Sequence, residues 1–183
     1  MPLQAPVSSH LDLYRYWLTK RGARSMPARD DIDPADIPAL VPYLTIVDKV
    51  DGRLRYRLVG TAAAKQRGCD LTGRLVGSYP EDATELPSAY ENVFATGRPL
   101  FVTGEYKSMW GNICKMSQLV LPLSDDGANV NMVFFVRIAR FNVEASGESG
   151  HLEGVPLRMC DAVSVAGAED IERLCIDWER RSP

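Results

Sequence analysis

Leu54, Tyr56 and Leu58 recur at period two along one face of an extended segment, with Arg53, Arg55 and Arg57 on the other. The alternation stops at Gly60, and the Ala-rich stretch that opens at Thr61 predicts a short helix, closed by a glycine-punctuated turn. Upstream, 44–48 reads as a companion strand, and the Asp51-Gly52 pair between Val50 and Arg53 is a strong two-residue hairpin signal. Three more β-like runs are expected at 99–106, 112–121 and 130–138, the last two joined by a turn at Ser124, Asp125, Asp126 and Gly127. In the third run, Met132, Phe134 and Val136 take one face and Val133 and Phe135 the other. A sheet wet on one side would alternate apolar with polar, so both faces must be covered.

Helical spacing predicts three amphipathic segments. Residues 10–20 carry Leu11, Leu13, Tyr14, Trp17 and Leu18, with Ser8 or Ser9 as cap and Gly22 as stop. Residues 88–96 place Tyr90, Val93 and Phe94 on one face before Gly97, and 170–181 place Ile171, Leu174, Cys175 and Trp178 at i, i+3, i+4 and i+7. The first of these covers its own domain or a second copy, and the second outcome makes the chain a homodimer. Asp33 before Pro34 predicts a capped short helix that ends before Pro42, and the neighbouring Asp30 and Asp31 read as solvated acids because a calcium loop's glycine and terminal glutamate are absent. A linker is expected over 142–154. The resulting division is a lead-in at 1–43, a core at 44–141 and a linker with its helix at 142–183.

Composition narrows the function classes. With 183 residues, the chain is long enough for one substantial core. Its 21 basic and 24 acidic residues leave a charge of −3, which offers no broad basic field for nucleic acid or an anionic bilayer. No apolar run approaches a membrane span and the start lacks a signal-peptide layout, so the cytoplasm is the expected location. Cys69, Cys114, Cys160 and Cys175 show no paired spacing and read as reduced thiols, and the only histidines, His10 and His151, lie near the two ends with structural or surface roles.

The segments YRYWLTKRG, MPARDDIDPADIPALVPYL, RYRLVGTAAAKQRGCDLTGRLV and LVLPLSDDGANVNMVFF together resemble a bacterial PAS domain family, over roughly Tyr14 to Phe135. Two strands, a block of short helices and three strands is also the PAS element order. The resemblance implies an α+β fold, with a five-stranded antiparallel sheet, helices on one face enclosing a small cavity, and flanking terminal helices. It further implies a role in sensing or protein association, without catalytic activity.

It does not name a cofactor. A haem PAS needs an axial histidine, and none lies between His10 and His151; Cys69 sits in RGCDLTG, without the residues that flank a flavin-reactive cysteine. The ligand is therefore a small organic molecule or none. Tyr56, Met116, Gln118 and Phe134 are the expected pocket walls if Leu54, Tyr56 and Leu58 face inward, although residues of these types more often simply pack a core. Gln118 stands out as a polar amide in an apolar strand that must find a partner when buried. Arg57 is expected to form an ion pair, with Asp12 or the Asp30 cluster, or alternatively to bind an anionic ligand. The competing readings are a sensor that signals through an effector protein, a ligand-free homodimer built on Trp17 and Trp178, and a small enzyme using Tyr56 or Asp48 as acid or base.

Overall fold

The computed structural model describes residues 5–78, 86–107, 113–141 and 158–181. The expected linker at 142–154 and His151 lie outside these. The elements run α1 (Ser9–Arg21), three 3-10 turns (Arg29–Asp31, Pro34–Asp36 and Val41–Tyr43), β1 (Leu44–Val50), β2 (Arg53–Val59), α2 (Thr61–Arg67), α3 (Leu86–Thr96), β3 (Leu100–Lys107), β4 (Ile113–Leu123), β5 (Met132–Phe141), β6 (Arg158–Ser164) and α4 (Ala168–Arg181). All strand pairs are antiparallel, in the order β2-β1-β5-β4-β3-β6. The expected α+β antiparallel architecture is present. Its sheet has a sixth strand beyond the five expected, because β6 returns along the edge of β3.

The β1–β2 hairpin turns on Asp51 and Gly52, both at positive φ (51° and 74°), the twist-matched geometry that an Asp-Gly pair adopts at least cost. Residues after α2 fold back onto the outer edge of β2. Tyr56 N–H donates to the Arg74 carbonyl, Gly73 N–H to that of Tyr56 and Val76 N–H to that of Leu54. This backbone cover protects one edge of the sheet from strand addition. Gly60 joins β2 to α2 where its N–H reaches the Leu44 carbonyl at 2.8 Å.

Two cores flank the sheet. On the inner side, Leu86, Ala89, Tyr90 and Val93 of α3 pack with Val47, Tyr56, Val102, Met116, Val120, Val133 and Phe135. On the outer side, α1 and α4 pack on Ile46, Leu119, Leu121, Phe134, Val136 and Ile138. The cover that the two-sided β5 requires thus comes from the chain's own terminal helices. Trp17 is buried and donates its indole N–H to the Pro122 carbonyl at 2.8 Å, and Trp178 is buried on α4. Both tryptophans are thereby withdrawn from the homodimer interface in which the sequence reading placed them.

A bulge between Ile46 and Val47 pairs Ile46 with Leu58 but Val47 with Tyr56. The extra residue reverses the alternation of β2. Leu54 and Tyr56 face the inner core as expected, whereas Leu58 is 39% exposed and Val59 turns inward instead.

Candidate functional site

Strand parity decides which side chains meet. Met116 and Gln118 of β4 share the inner face with Tyr56 of β2, and all three are fully buried. Phe134 does not join them: it lies in the outer core, and its neighbour Phe135 takes the inner position, stacked on Tyr90 with ring centroids 5.3 Å apart. Arg57 is also elsewhere, exposed on the bulge of β2.

Gln118 finds its partners across the inner layer. The Tyr90 hydroxyl lies 3.4 Å from Gln118 Oε1, to which it can donate, and 3.3 Å from Gln118 Nε2, from which it can accept. Arg137 Nε donates to the same Oε1 at 3.5 Å. Arg137 is the cross-strand partner of Gln118 on β5 and is only 4% exposed. All three contacts are longer than the 2.7–3.0 Å or so typical of well-made hydrogen bonds. Sequence reasoning missed Arg137. The signal was available: at period two, 137 follows Val133 and Phe135 onto the inner face, so a charge there stands inside an apolar layer.

Other polar groups border this layer. Arg67 of α2 is buried with its guanidinium 5.2 Å from the centre of the Tyr56 ring, a cation–π distance. Thr45 and Gln66 are buried as well.

Asp48, weighed above as an acid or base, is committed differently. Its carboxylate accepts a two-pronged pair from Arg55 at 3.0 and 2.7 Å, and Arg57 approaches at 3.4 Å. Burial pushes its pKa up, but the hydrogen bonds and charge of Arg55, then of Arg57, outweigh that and hold it below the usual carboxylate value. The ion pair expected of Arg57 therefore exists, with Asp48 in place of Asp12 or the Asp30 cluster. Those acids serve locally: Asp33 accepts from Ala35 N–H as a cap, and Asp31 pairs with Arg24.

On the outer face, His10 is completely buried and shares a 3.0 Å hydrogen bond between Nε2 and Ser117 Oγ, with its ring edge-on to Phe101. Burial without a counter-charge lowers its pKa from 6.5 to about 3, so the ring is neutral. Among the described residues, no three His, Cys, Asp or Glu side chains converge to hold a metal, and Cys69 and Cys175 are free thiols. Among them, too, no helix is long and apolar enough to cross a membrane.

No curated protein matches the chain. A family model does, over residues 5–135, which takes in α1, both early strands, α2, α3, β3, β4 and the inner and outer positions of β5 up to Phe135, and ends before Arg137, β6 and α4. By that match, and with the antiparallel sheet backed by α2 and α3, the chain belongs to the PAS domain family.

Proposed function

We propose that this PAS domain is a sensory or regulatory module that takes a small molecule on the inner face of its sheet and passes the change to a protein partner. The observation that carries the reading is Arg137, whose Nη2 is buried without an acceptor and whose Nε reaches only Gln118 at 3.5 Å, in a layer lined mostly by apolar side chains. Polar groups buried without full pairing destabilise a fold, and a ligand that completes their hydrogen bonds removes that penalty. A metabolite seated there would touch β4, β5 and α3 together. Tyr56 and Met116 share this layer and belong to the proposed wall, with Phe135 in the place first given to Phe134.

The function is regulatory rather than catalytic on this reading. Asp48 is held ionised by two arginines on the side of the sheet away from Tyr56 and so is a poor proton donor near neutrality. For association, the described residues leave Leu58 on β2, Val163 on β6 and Ile176 on α4 as exposed large apolar groups, available to a second copy or an effector. The free thiols of Cys69 and Cys175 fit the reducing cytoplasm.

Native mass spectrometry of the purified chain, compared with its denatured mass, tests the proposal. A reproducible extra mass in the native ion, lost in Gln118→Leu, supports it. A clean mass with no adduct, under conditions that preserve a known weak complex, favours a ligand-free association module, and the native ion also reads out the homodimer.

A further inference from the structure

Association and sensing by themselves do not require a permanent charge inside the sheet, yet Arg137 supplies one. A guanidinium keeps its charge, and burying that charge destabilises the fold unless an anion pairs with it. Among the described residues, Arg137 makes no ion pair. Its Nε meets only the neutral Gln118 oxygen at 3.5 Å, and its Nη2 is buried with no acceptor. The arginines at the surface are treated differently: Arg55, Arg24 and Arg140 each face a carboxylate. Around the Arg137–Gln118 pair the inner face is lined by Val102, Met116, Val120, Phe135 and Ala139, and none of these side chains carries a charge.

We propose that Arg137 and Gln118 form the recognition point for the carboxylate of a small metabolite whose apolar body lies against Met116, Val102 and Phe135. The inference rests on the sensing role above and narrows it to one ligand class. A carboxylate matches the geometry because its two oxygens accept in parallel from the guanidinium fork, while the Gln118 amide adds a neutral donor. It also matches the charge. One buried cation balances one negative charge, whereas a phosphate dianion would leave a second charge uncompensated in apolar surroundings.

The test compares wild type with Arg137→Met and Arg137→Lys in bis-tris chloride, using three probes: straight-chain monocarboxylates, the primary amides of the same lengths, and inorganic phosphate. Thermal melting and calorimetric titration read the outcome. The carboxylates are expected to raise the wild-type melting temperature saturably, with amides and phosphate inert. Arg137→Met should weaken carboxylate binding by roughly tenfold or more, as loss of a charge-assisted pair does, yet melt no lower than wild type without probe. Arg137→Lys, which keeps the charge and loses the fork, should fall between them and carries the test if the Met variant fails to fold.

Equal responses to carboxylates and amides, or an undiminished carboxylate response in Arg137→Met, would overturn the anion assignment while leaving a ligand on the inner face. An Arg137→Met variant that folds but melts well below wild type without probe would overturn it too, because the charge would then be met inside the protein. Inertness of wild type to every carboxylate would overturn it as well. The sensing role fails separately, on a clean native mass.

Discussion

Replacing Gly60 with alanine should be among the most damaging single-methyl changes in this domain. Gly60 sits at φ −63° and ψ 155°, which any residue adopts, so its backbone conformation does not demand glycine. Space does. A Cβ there would stand 2.6 Å from the Val41 carbonyl oxygen and closer still to that of Pro42. Both obstacles are backbone, in the turn on which α2 packs, so no flexible side chain can swing away. Reaching ordinary contact distance requires a retreat of roughly 1 Å. Overpacking of this kind costs about 1–3 kcal/mol. Lengthening the 2.8 Å bond from Gly60 N–H to the Leu44 carbonyl adds about 1 kcal/mol. The stiffer unfolded chain returns roughly 0.4–1 kcal/mol.

The expected net loss is about 2–3 kcal/mol, or roughly 5–10 °C in Tm for a chain of this length. Urea unfolding followed by tryptophan fluorescence measures it against two controls. Gly167→Ala meets open space at an unstrained φ and should stay within about 0.5 kcal/mol of wild type. Gly22→Ala also meets open space but at φ +57°, and should cost about 1–2 kcal/mol from backbone strain alone. If Gly60→Ala proves as stable as Gly167→Ala, the packing argument is wrong.

His10 should make stability pH-dependent. Its folded pKa of about 3 lies below the unfolded 6.5, so its contribution is complete above pH 6.5 and is lost as pH falls toward 3, at about 1.4 kcal/mol per unit. Unfolding free energies measured across that range should slope more steeply for wild type than for His10→Gln, and parallel slopes would contradict the burial argument. Asp48→Asn should cost about 1–2 kcal/mol at neutral pH, a figure discounted because Arg55 is one-third exposed. Since Asp48 titrates below the unfolded carboxylate value, that difference should start to shrink as pH falls below the unfolded value and be lost through its depressed pKa. A double-mutant cycle with Arg55→Gln would show no coupling if the pair is inert. Cys175, pushed up to about 12 by burial and then by Glu179, should resist alkylation until the chain unfolds, whereas rapid labelling of the native protein would mean that α4 opens readily.

Much of the architecture is written locally. Asp51-Gly52 specifies the first hairpin, and the i, i+3, i+4, i+7 spacing of α4 marks the face that the structure buries through Ile171, Cys175 and Trp178. The doubly apolar β5 announces an outer layer before any helix is assigned to it. The same feature hides parity. With apolar residues on both faces, nothing in the strand distinguishes Phe134 from Phe135, and the wrong one is readily placed inside. Leu58 is misread for a different reason, because the bulge opposite Ile46 and Val47 depends on pairing and leaves no mark in the alternation. β6 is short and polar enough to pass for a connector until β3 offers it an edge. His10, read as structural or surface, gives no sign of its burial, since its partner Ser117 lies 107 positions away. Arg137 was legible, but only to a reader who had settled which face of β5 was inner.

Ser117 and Gln118 are consecutive on β4, and they answer to opposite layers: one holds the His10 ring of the N-terminal helix, the other the Tyr90 and Arg137 side chains. Their Cα atoms are separated by a single peptide unit, about 3.8 Å. No loop, hinge or relay of side chains stands between the two chemistries. A displacement of β4 at this point thus carries both side chains together. The imidazole resonances of His10 are therefore a native spectroscopic probe of events beneath the sheet, readable by NMR without attaching a label to the side where those events occur.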